Sequence, residues 1–304
     1  MSFKLGRLPN DPAQPRVKLA AHLNAASPPP EAVSWAGVPQ WGMLLNDSLG
    51  DCTCAGDGHI VEILSFYGQG TETVVTDAEA LAAYEAVGGY NPSAGPPGDN
   101  PTDRGATVQA ALSYLHDPGM AGVTVDAVAE VSVSDLGEMK TACAELGPLS
   151  AGVNLPAIAQ QQFTDGQPWD VVADDGGIEG GHCIVLCGYD QDFLYFVTWG
   201  KVQKATYAWW AKYGEEIWAV VSRDWVSAKG QDPEGVDLAG LGADWAAVTG
   251  NLNPFTDAPI PAPGAAPTPV HNHANMLIEL ADDVEAVLAK VRGYLSRHGL
   301  TPHM

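Results

Sequence analysis

The chain has 304 residues, of which 37 are acidic and 14 are basic, so its formal net charge is −23 at pH 7. Such a charge repels nucleic-acid phosphates and anionic membrane surfaces, which excludes both as partners and favours neutral or cationic substrates. Five cysteines, an odd number in a chain of this length, do not form a disulfide framework.

Residues 1–30 are predicted to form an extended basic arm. They contain four of the fourteen basic residues of the chain, namely Lys4, Arg7, Arg16 and Lys18. No Lys or Arg lies between Lys18 and Arg104. We therefore expect the arm to dock on an acidic surface, either of its own body or of a neighbouring copy. Because exposed ion pairs contribute only about 0–1 kcal/mol each and are screened by ions, high salt should loosen this contact.

Neither a targeting segment nor a membrane span is predicted. The N-terminus lacks the apolar stretch of a signal peptide, and no apolar run approaches the roughly 20 residues that cross a bilayer. We expect a soluble protein made in the cytoplasm, an origin compatible with later delivery by lysis or within a virion.

The stretch from Asn46 to Ala55 places Cys52 at the start of a predicted helix. Turn-forming residues precede the cysteine, and an apolar run over residues 60–64 follows it. The unpaired N–H groups and the dipole at a helix N-terminus stabilise a thiolate, so the pKa of Cys52 should fall below the free value of about 8.5. Cys52 is thus a candidate nucleophile. His59, two turns along the same face, is either structural or a second base.

The middle of the chain alternates between helices, one long loop and short strands. Helices are predicted from Asp77, over residues 107–115, and from Ser134 as N-cap to Leu146. Short strands are predicted over residues 123–125 and 131–133. A loop rich in Gly, Pro and Asn covers residues 88–101, and loops of this kind often border a cleft.

A β-rich region follows and contains the base that a cysteine nucleophile needs. Its strands are predicted over residues 148–155, 183–187, 194–198 and 218–222, with an aromatic-rich helix over residues 206–213. His182 begins the second strand, in the sequence Gly-Gly-His-Cys-Ile-Val-Leu-Cys-Gly-Tyr-Asp. An imidazole within hydrogen-bond reach of a thiol can remove its proton, so His182 is the candidate base.

The cysteine and histidine segments, in this order, resemble the papain-like cysteine peptidase superfamily. The resemblance covers residues 31–227 and extends to the segment 103–115 and to Thr198-Trp199-Gly200. It implies an α+β, two-lobed fold in which a helical lobe faces an antiparallel β-rich lobe across a cleft. Trp41-Gly42-Met43 followed by Asn-Asp-x-x-Gly-Asp-Cys looks more closely like a divergent branch found in bacteriophage and bacterial genomes.

The resemblance also implies roles for the site residues. Cys52 would be the nucleophile, and His182 the general base and then the general acid. The family's oxyanion-binding Gln corresponds to Asn46, whose amide either assists the oxyanion or only forms a turn with Asp47. The family's Asn that orients the histidine corresponds to Val197, whose side chain makes no hydrogen bond.

The replacement of that Asn leaves several alternatives open. Thr198, a main-chain carbonyl or a residue elsewhere orients His182, or the site works as a dyad, or it is inactive. Trp199 is the remnant of the family motif. The first hypothesis is therefore a papain-like cysteine hydrolase that cleaves a peptide or amide bond without a cofactor. The second is a papain-like structural or interaction module whose chemistry has lapsed, such as a phage virion component.

Zinc is the rival interpretation of the thiols and imidazoles. The side chains concerned are Cys52, Cys54, His59, His182, Cys183 and Cys187, all of types that bind zinc. Neither their C-x-C nor their H-C-x₃-C spacing matches the usual C-x₂-C, and successive strand residues face opposite sides. We therefore predict no metal site.

The last part of the chain changes character. Residues 228–270 are predicted to hold one short helix and a Pro/Ala-rich linker, and residues 271–304 an amphipathic helix over about 275–298. Its apolar seam consists of Leu277, Leu280, Val284, Val287, Val291 and Tyr294. Such a seam needs a partner, either in a homo-oligomer or another protein such as a virion component, or on the chain's own body.

Overall fold

The computed structural model describes residues 3–23, 28–228 and 235–255 of the chain. These residues fall in a unit spanning Met1–Pro269, whereas a second unit, Val270–Met304, contains the predicted C-terminal helix and lies outside the described residues. The proposed boundaries at residues 30, 227 and 270 stay predictions. No helix among the described residues is long and apolar enough to cross a membrane.

The helices are arranged around one buried helix that begins at the candidate nucleophile. Their bounds are α1 (Cys52–Leu64), α2 (Asp77–Gly88), α3 (Val108–His116), α4 (Leu136–Leu146), α5 (Ala157–Thr164), α6 (Tyr207–Tyr213), α7 (Arg223–Ala228) and α8 (Leu238–Thr249). Every residue of α1 is buried, because α2 and α3 pack on one side of it and the sheet packs on another. The position of Cys52 is thereby fixed from several directions.

The strands form one antiparallel sheet and one short parallel pair among the described residues. Their bounds are β1 (Arg7–Leu8), β2 (Val33–Ser34), β3 (Ala106–Thr107), β4 (Ala127–Val131), β5 (Leu149–Pro156), β6 (Ile178–Tyr189), β7 (Phe193–Thr198), β8 (Lys201–Thr206) and β9 (Gly214–Val221). The sheet order is β4-β9-β5-β6-β7-β8, with β2 also paired to β6, while β1 pairs with β3. The fold class is α+β, as predicted.

Strand β6 carries the candidate base at the centre of the sheet. It lies between β5 and β7, and its register places His182 opposite Val153 of β5. Helix α1 packs against β6. A residue of β6 can therefore approach the start of α1 from that face of the sheet.

Several element boundaries differ from the sequence predictions. The two short strands expected over residues 123–125 and 131–133 are replaced by β4, which ends at Val131. Helix α4 is capped by Asp135, whose carboxylate accepts the backbone N–H groups of Gly137 and Glu138, so the predicted N-cap, Ser134, was wrong by one residue. Helix α5 and strand β8 were not predicted, because neither has a sustained apolar period.

Candidate active site

Cys52 begins α1, as predicted, and is only 1% exposed. Its Sγ accepts a hydrogen bond from the backbone N–H of Cys183, on β6, at 3.4 Å. Burial raises the pKa of the Cys52 thiol to about 12, although the Cys183 amide acts in the opposite direction. The prediction of a lowered pKa is wrong for this conformation, because the loss of water outweighs the favourable helix N-terminus.

His182 lies at the next position before that amide and is fully buried. Its Nε2 lies 2.8 Å from Oγ1 of Thr198, while its Nδ1 is buried without a hydrogen-bond partner. Burial, and secondly the positive charge of Arg7, lower the pKa of His182 to about 3. The imidazole is therefore neutral here, with Nδ1 as the nitrogen not used in holding the ring.

Two neighbouring side chains hold the imidazole ring in place. The indole of Trp199 stacks on the His182 ring with centroids 4.5 Å apart and an interplanar angle of 20°. Thr198 supplies the hydrogen bond, whereas Val197, at the family's Asn position, is buried in the β-sheet opposite Val185 and Val202. Because side chains alternate along β7, Val197 and Thr198 point to opposite faces.

Asn46 is buried, and its amide is engaged within the cysteine loop. Its Nδ2 donates to the carbonyl oxygen of Leu49 at 3.4 Å and to Oδ1 of Asp51 at 3.2 Å. These contacts match the alternative in which Asn46 only shapes the loop. The Asn46 amide could bind an oxyanion only after releasing Leu49 and Asp51. Burial raises the pKa of Asp51, which the sequence analysis did not single out, although the hydrogen bond from Asn46 opposes this shift.

The N-terminal arm passes between the cysteine loop and the histidine strand. The Phe3 ring stacks on Trp199 with centroids 4.5 Å apart, and the Gly6 carbonyl accepts the backbone N–H of Ala106 at 2.9 Å. A hydrogen bond from the Gly6 backbone amide favours the thiolate of Cys52, although this effect is smaller than that of burial. The arm therefore lies beside both candidate catalytic groups, which are buried.

The arm's basic residues form ion pairs with the body of the same chain. The pairs are Lys4 with Asp103 at 3.0 Å, Arg7 with Glu216 at 2.8 Å, Arg16 with Glu130 at 3.1 Å, and Lys18 with Glu130. Docking on an acidic surface of the chain's own body is thus confirmed. The charge pattern indicated the docking, but the route through the cleft was missed, because it depends on which acidic groups the fold brings near the arm.

The other side chains considered as zinc ligands, Cys54, His59, Cys183 and Cys187, are all buried. His59 Nδ1 lies 3.1 Å from Oε2 of Glu62, and its ring contacts that of Trp41 edge-on. All five cysteines are buried thiols. Across the described ranges, no group of three or more His, Cys, Asp or Glu side chains is arranged to hold a metal ion.

Comparison with solved structures identifies the fold. The chain is similar to xylellain, a cysteine protease from Xylella fastidiosa, with a TM-score of 0.56 and 14% identity over 73% of this chain and 98% of that chain. This fold is papain-like. The cysteine protease CMS1MS2 from Carica candamarcensis matches with a TM-score of 0.46 and 16% identity over 64% of this chain and 99% of that chain.

Digestive procathepsin L 3 from the larval midgut of Tenebrio molitor matches with a TM-score of 0.47 and 15% identity, covering 68% of this chain and 76% of that chain. No protein-family model and no curated protein sequence matches this chain. The structural likeness to xylellain shows the papain-like fold alone, since the two sequences are only 14% identical.

Proposed function

We propose that this protein is a papain-like cysteine hydrolase that cleaves a peptide or amide bond. The observation that carries the proposal is the junction of α1 and β6, where the Cys52 thiol accepts the amide hydrogen of the residue that follows His182. A thiol at a helix N-terminus and an imidazole held by a third group form the arrangement that nucleophilic acyl transfer requires.

The reaction divides into two steps that share the same groups. His182 Nδ1 takes the thiol proton, the Cys52 sulfur attacks the carbonyl carbon, and the imidazolium returns the proton to the leaving amine as the C–N bond breaks. Water then loses a proton to His182 and attacks the thioester, which releases the acid and restores the thiol. Backbone N–H groups at the start of α1 are suited to stabilise the oxyanion.

Thr198 has the role of positioning residue in this proposal. Its hydroxyl holds Nε2 of His182 and so leaves Nδ1 for proton transfer. Because burial under the arm disfavours both the thiolate and the imidazolium, the arm must leave before the site reacts.

Alkylation of Cys52 tests the proposal directly. A side chain on Gly6 would place its Cβ 1.9 Å from the carbonyl oxygen of Gly50, so Gly6→Ala should release the arm. With stoichiometric iodoacetamide at pH 6, mass spectrometry should find Cys52 labelled selectively in Gly6→Ala, and His182→Ala in the same background should abolish this labelling. Arg16→Ala, which alters an ion pair further along the arm, is the matched control and should leave the labelling rate at the wild-type level.

A lapsed papain-like module is the second candidate, favoured by the apolar Val197 at the family's Asn position. Labelling of Cys52 no faster than of a free cysteine in Gly6→Ala would sink the hydrolase proposal and leave this alternative. A place in the phage and bacterial branch, a virion role and a cytoplasmic origin remain proposals that rest on the sequence motifs and composition.

A further inference from the structure

The Arg7 side chain occupies a buried pocket formed by strands β5 and β9. Its Nη1 lies 2.8 Å from Oε1 of Glu216, and its Nη2 lies 3.0 Å from Oδ1 of Asn154 and 3.4 Å from the carbonyl oxygen of Val153. The side chains of Arg7 and Glu216 are only 5% and 6% exposed. Three acceptors arranged around one planar group suit a guanidinium better than the single ammonium of lysine.

Groups other than Arg7 also bind the carboxylate of this pocket. The indole Nε1 of Trp218 donates to Oε2 of Glu216 at 2.8 Å, and the side-chain amide of Asn10 donates to the same oxygen. The contact from Trp218, on the same strand, does not depend on the arm. A carboxylate held in place and shielded from water needs a cation, because an unpaired buried charge is strongly unfavourable.

Close backbone contacts restrict the residue that precedes Arg7 in the arm. A Cβ on Gly6 would lie 1.9 Å from the Gly50 carbonyl oxygen, and a Cβ on Gly181 would lie 2.2 Å from the carbonyl oxygen of Arg7. The passage past the cysteine loop therefore accepts glycine and no larger residue. The cleft fits a peptide in which glycine adjoins arginine.

The arm does not present itself to Cys52 for cleavage at Gly6. The Gly6 carbonyl accepts the backbone N–H of Ala106, on β3. The carbonyl that a nucleophile would attack is thus engaged elsewhere.

We infer that Glu216, Asn154 and the Val153 carbonyl form the recognition pocket for an arginine of the peptide on which the protein acts, and that residues 3–7 are an internal occupant displaced by this peptide. This assignment rests on the proposed hydrolase function in one respect, namely that the bound peptide is the substrate. The pocket is tested by peptide binding and the hydrolase by the reactivity of Cys52, so either proposal can fail without the other.

Binding of a labelled peptide tests the pocket. The probe is fluorescein-labelled Phe-Lys-Leu-Gly-Arg-Leu-Pro, compared with a version in which neutral citrulline replaces arginine. The protein is the full chain carrying Cys52→Ala, which prevents turnover, together with Arg7→Ala, which empties the pocket. Fluorescence anisotropy should show the arginine probe binding about tenfold or more tightly than the citrulline probe, since a hydrogen bond to a charged group contributes on this scale.

Matched variants assign that preference to the pocket. Adding Glu216→Gln, which keeps the shape and removes the charge, should abolish the preference, whereas Arg16→Ala in place of Arg7→Ala should bind the probe no better than Cys52→Ala alone. If Arg7→Ala does not fold, as judged by its melting temperature, Arg7→Gln, which removes the cation and keeps most of the side-chain volume, replaces it under the same criteria. Equal affinity for the two probes, or no saturable binding, overturns the inference. Selective binding keeps the pocket whether or not the probe is cleaved, because the arm sequence binds with its Gly6 carbonyl engaged by Ala106. The hydrolase is rejected separately, by alkylation of Cys52 in Gly6→Ala no faster than that of a free cysteine.

Discussion

At the residue scale, the hydroxyl of Thr198 lies within hydrogen-bond distance of Nε2 of His182, whereas the side chain of Val197 offers no such group. In the Gly6→Ala background, Thr198→Val should slow Cys52 alkylation by roughly tenfold, because one buried hydrogen bond contributes about 1–1.5 kcal/mol. Thr198→Ser keeps the hydroxyl and should retain most of the rate. The pH profile of alkylation is the discriminating measurement: an unchanged profile in Thr198→Val would show that Thr198 only packs against the ring.

The buried imidazole also makes stability depend on pH. His182 ordinarily takes up a proton near pH 6.5 but in the folded chain only near pH 3, so between these values the unfolded chain binds more protons. The stability contributed by neutral His182 is complete above pH 6.5 and is lost progressively as the pH falls towards 3. At pH 4.5 this loss is about 2–3 kcal/mol.

His182→Gln isolates this contribution to the stability of the fold. Glutamine has a similar size and does not titrate, so its free energy of unfolding should fall less than that of the wild type between pH 7 and pH 4.5. Burial raises the pKa of Asp51 and of Asp57, but these groups are present in both proteins and cancel in the comparison. Urea unfolding at both pH values gives the difference, and parallel pH dependences would contradict the assignment.

At the scale of elements, the arm is held differently along its length. Near the cleft, Arg7 pairs with Glu216 away from water and Phe3 stacks on Trp199, while further along the Lys18 side chain is 62% exposed. Salt screens exposed charges far more than buried ones. The expectation that salt loosens the whole arm is therefore narrowed to the part around residues 11–18.

Trypsin digestion distinguishes the two parts of the arm. Raising the salt concentration from low to 1 M should speed cleavage after Arg16 and Lys18 and leave cleavage after Lys4 and Arg7 unchanged. Gly6→Ala should instead expose the early sites at both salt concentrations. An equal acceleration at all four sites in the wild type would show that charge alone holds the arm in the cleft.

At the scale of the whole molecule, self-association through residues 275–298 stays a prediction from the apolar seam, since these residues lie outside the described ranges. We expect the full chain to be oligomeric and a chain ending near Asp257 to be monomeric at tens of micromolar. Light scattering measures both masses. Two monomers would mean that the seam contacts the chain's own body or a different protein.

The sequence by itself singled out the two candidate catalytic residues, and the resemblance of their segments to the papain-like superfamily implied the fold class. Cys52 and His182 were found because turn residues before an apolar helix, and glycines before an apolar strand, are local patterns. The charge pattern likewise indicated that the arm docks on an acidic body. These features depend on residues that are close together in the chain, so they can be recognised without a structure.

Only the tertiary structure decided the state of the site. Cys52 and His182 are buried, and this burial reverses the expected shift in the pKa of Cys52. Which of several candidates holds His182, and that Glu216 receives Arg7, depend on contacts between residues far apart in sequence. Burial and such pairings depend on residues brought together by the whole fold, so they cannot be predicted from a local pattern in the chain.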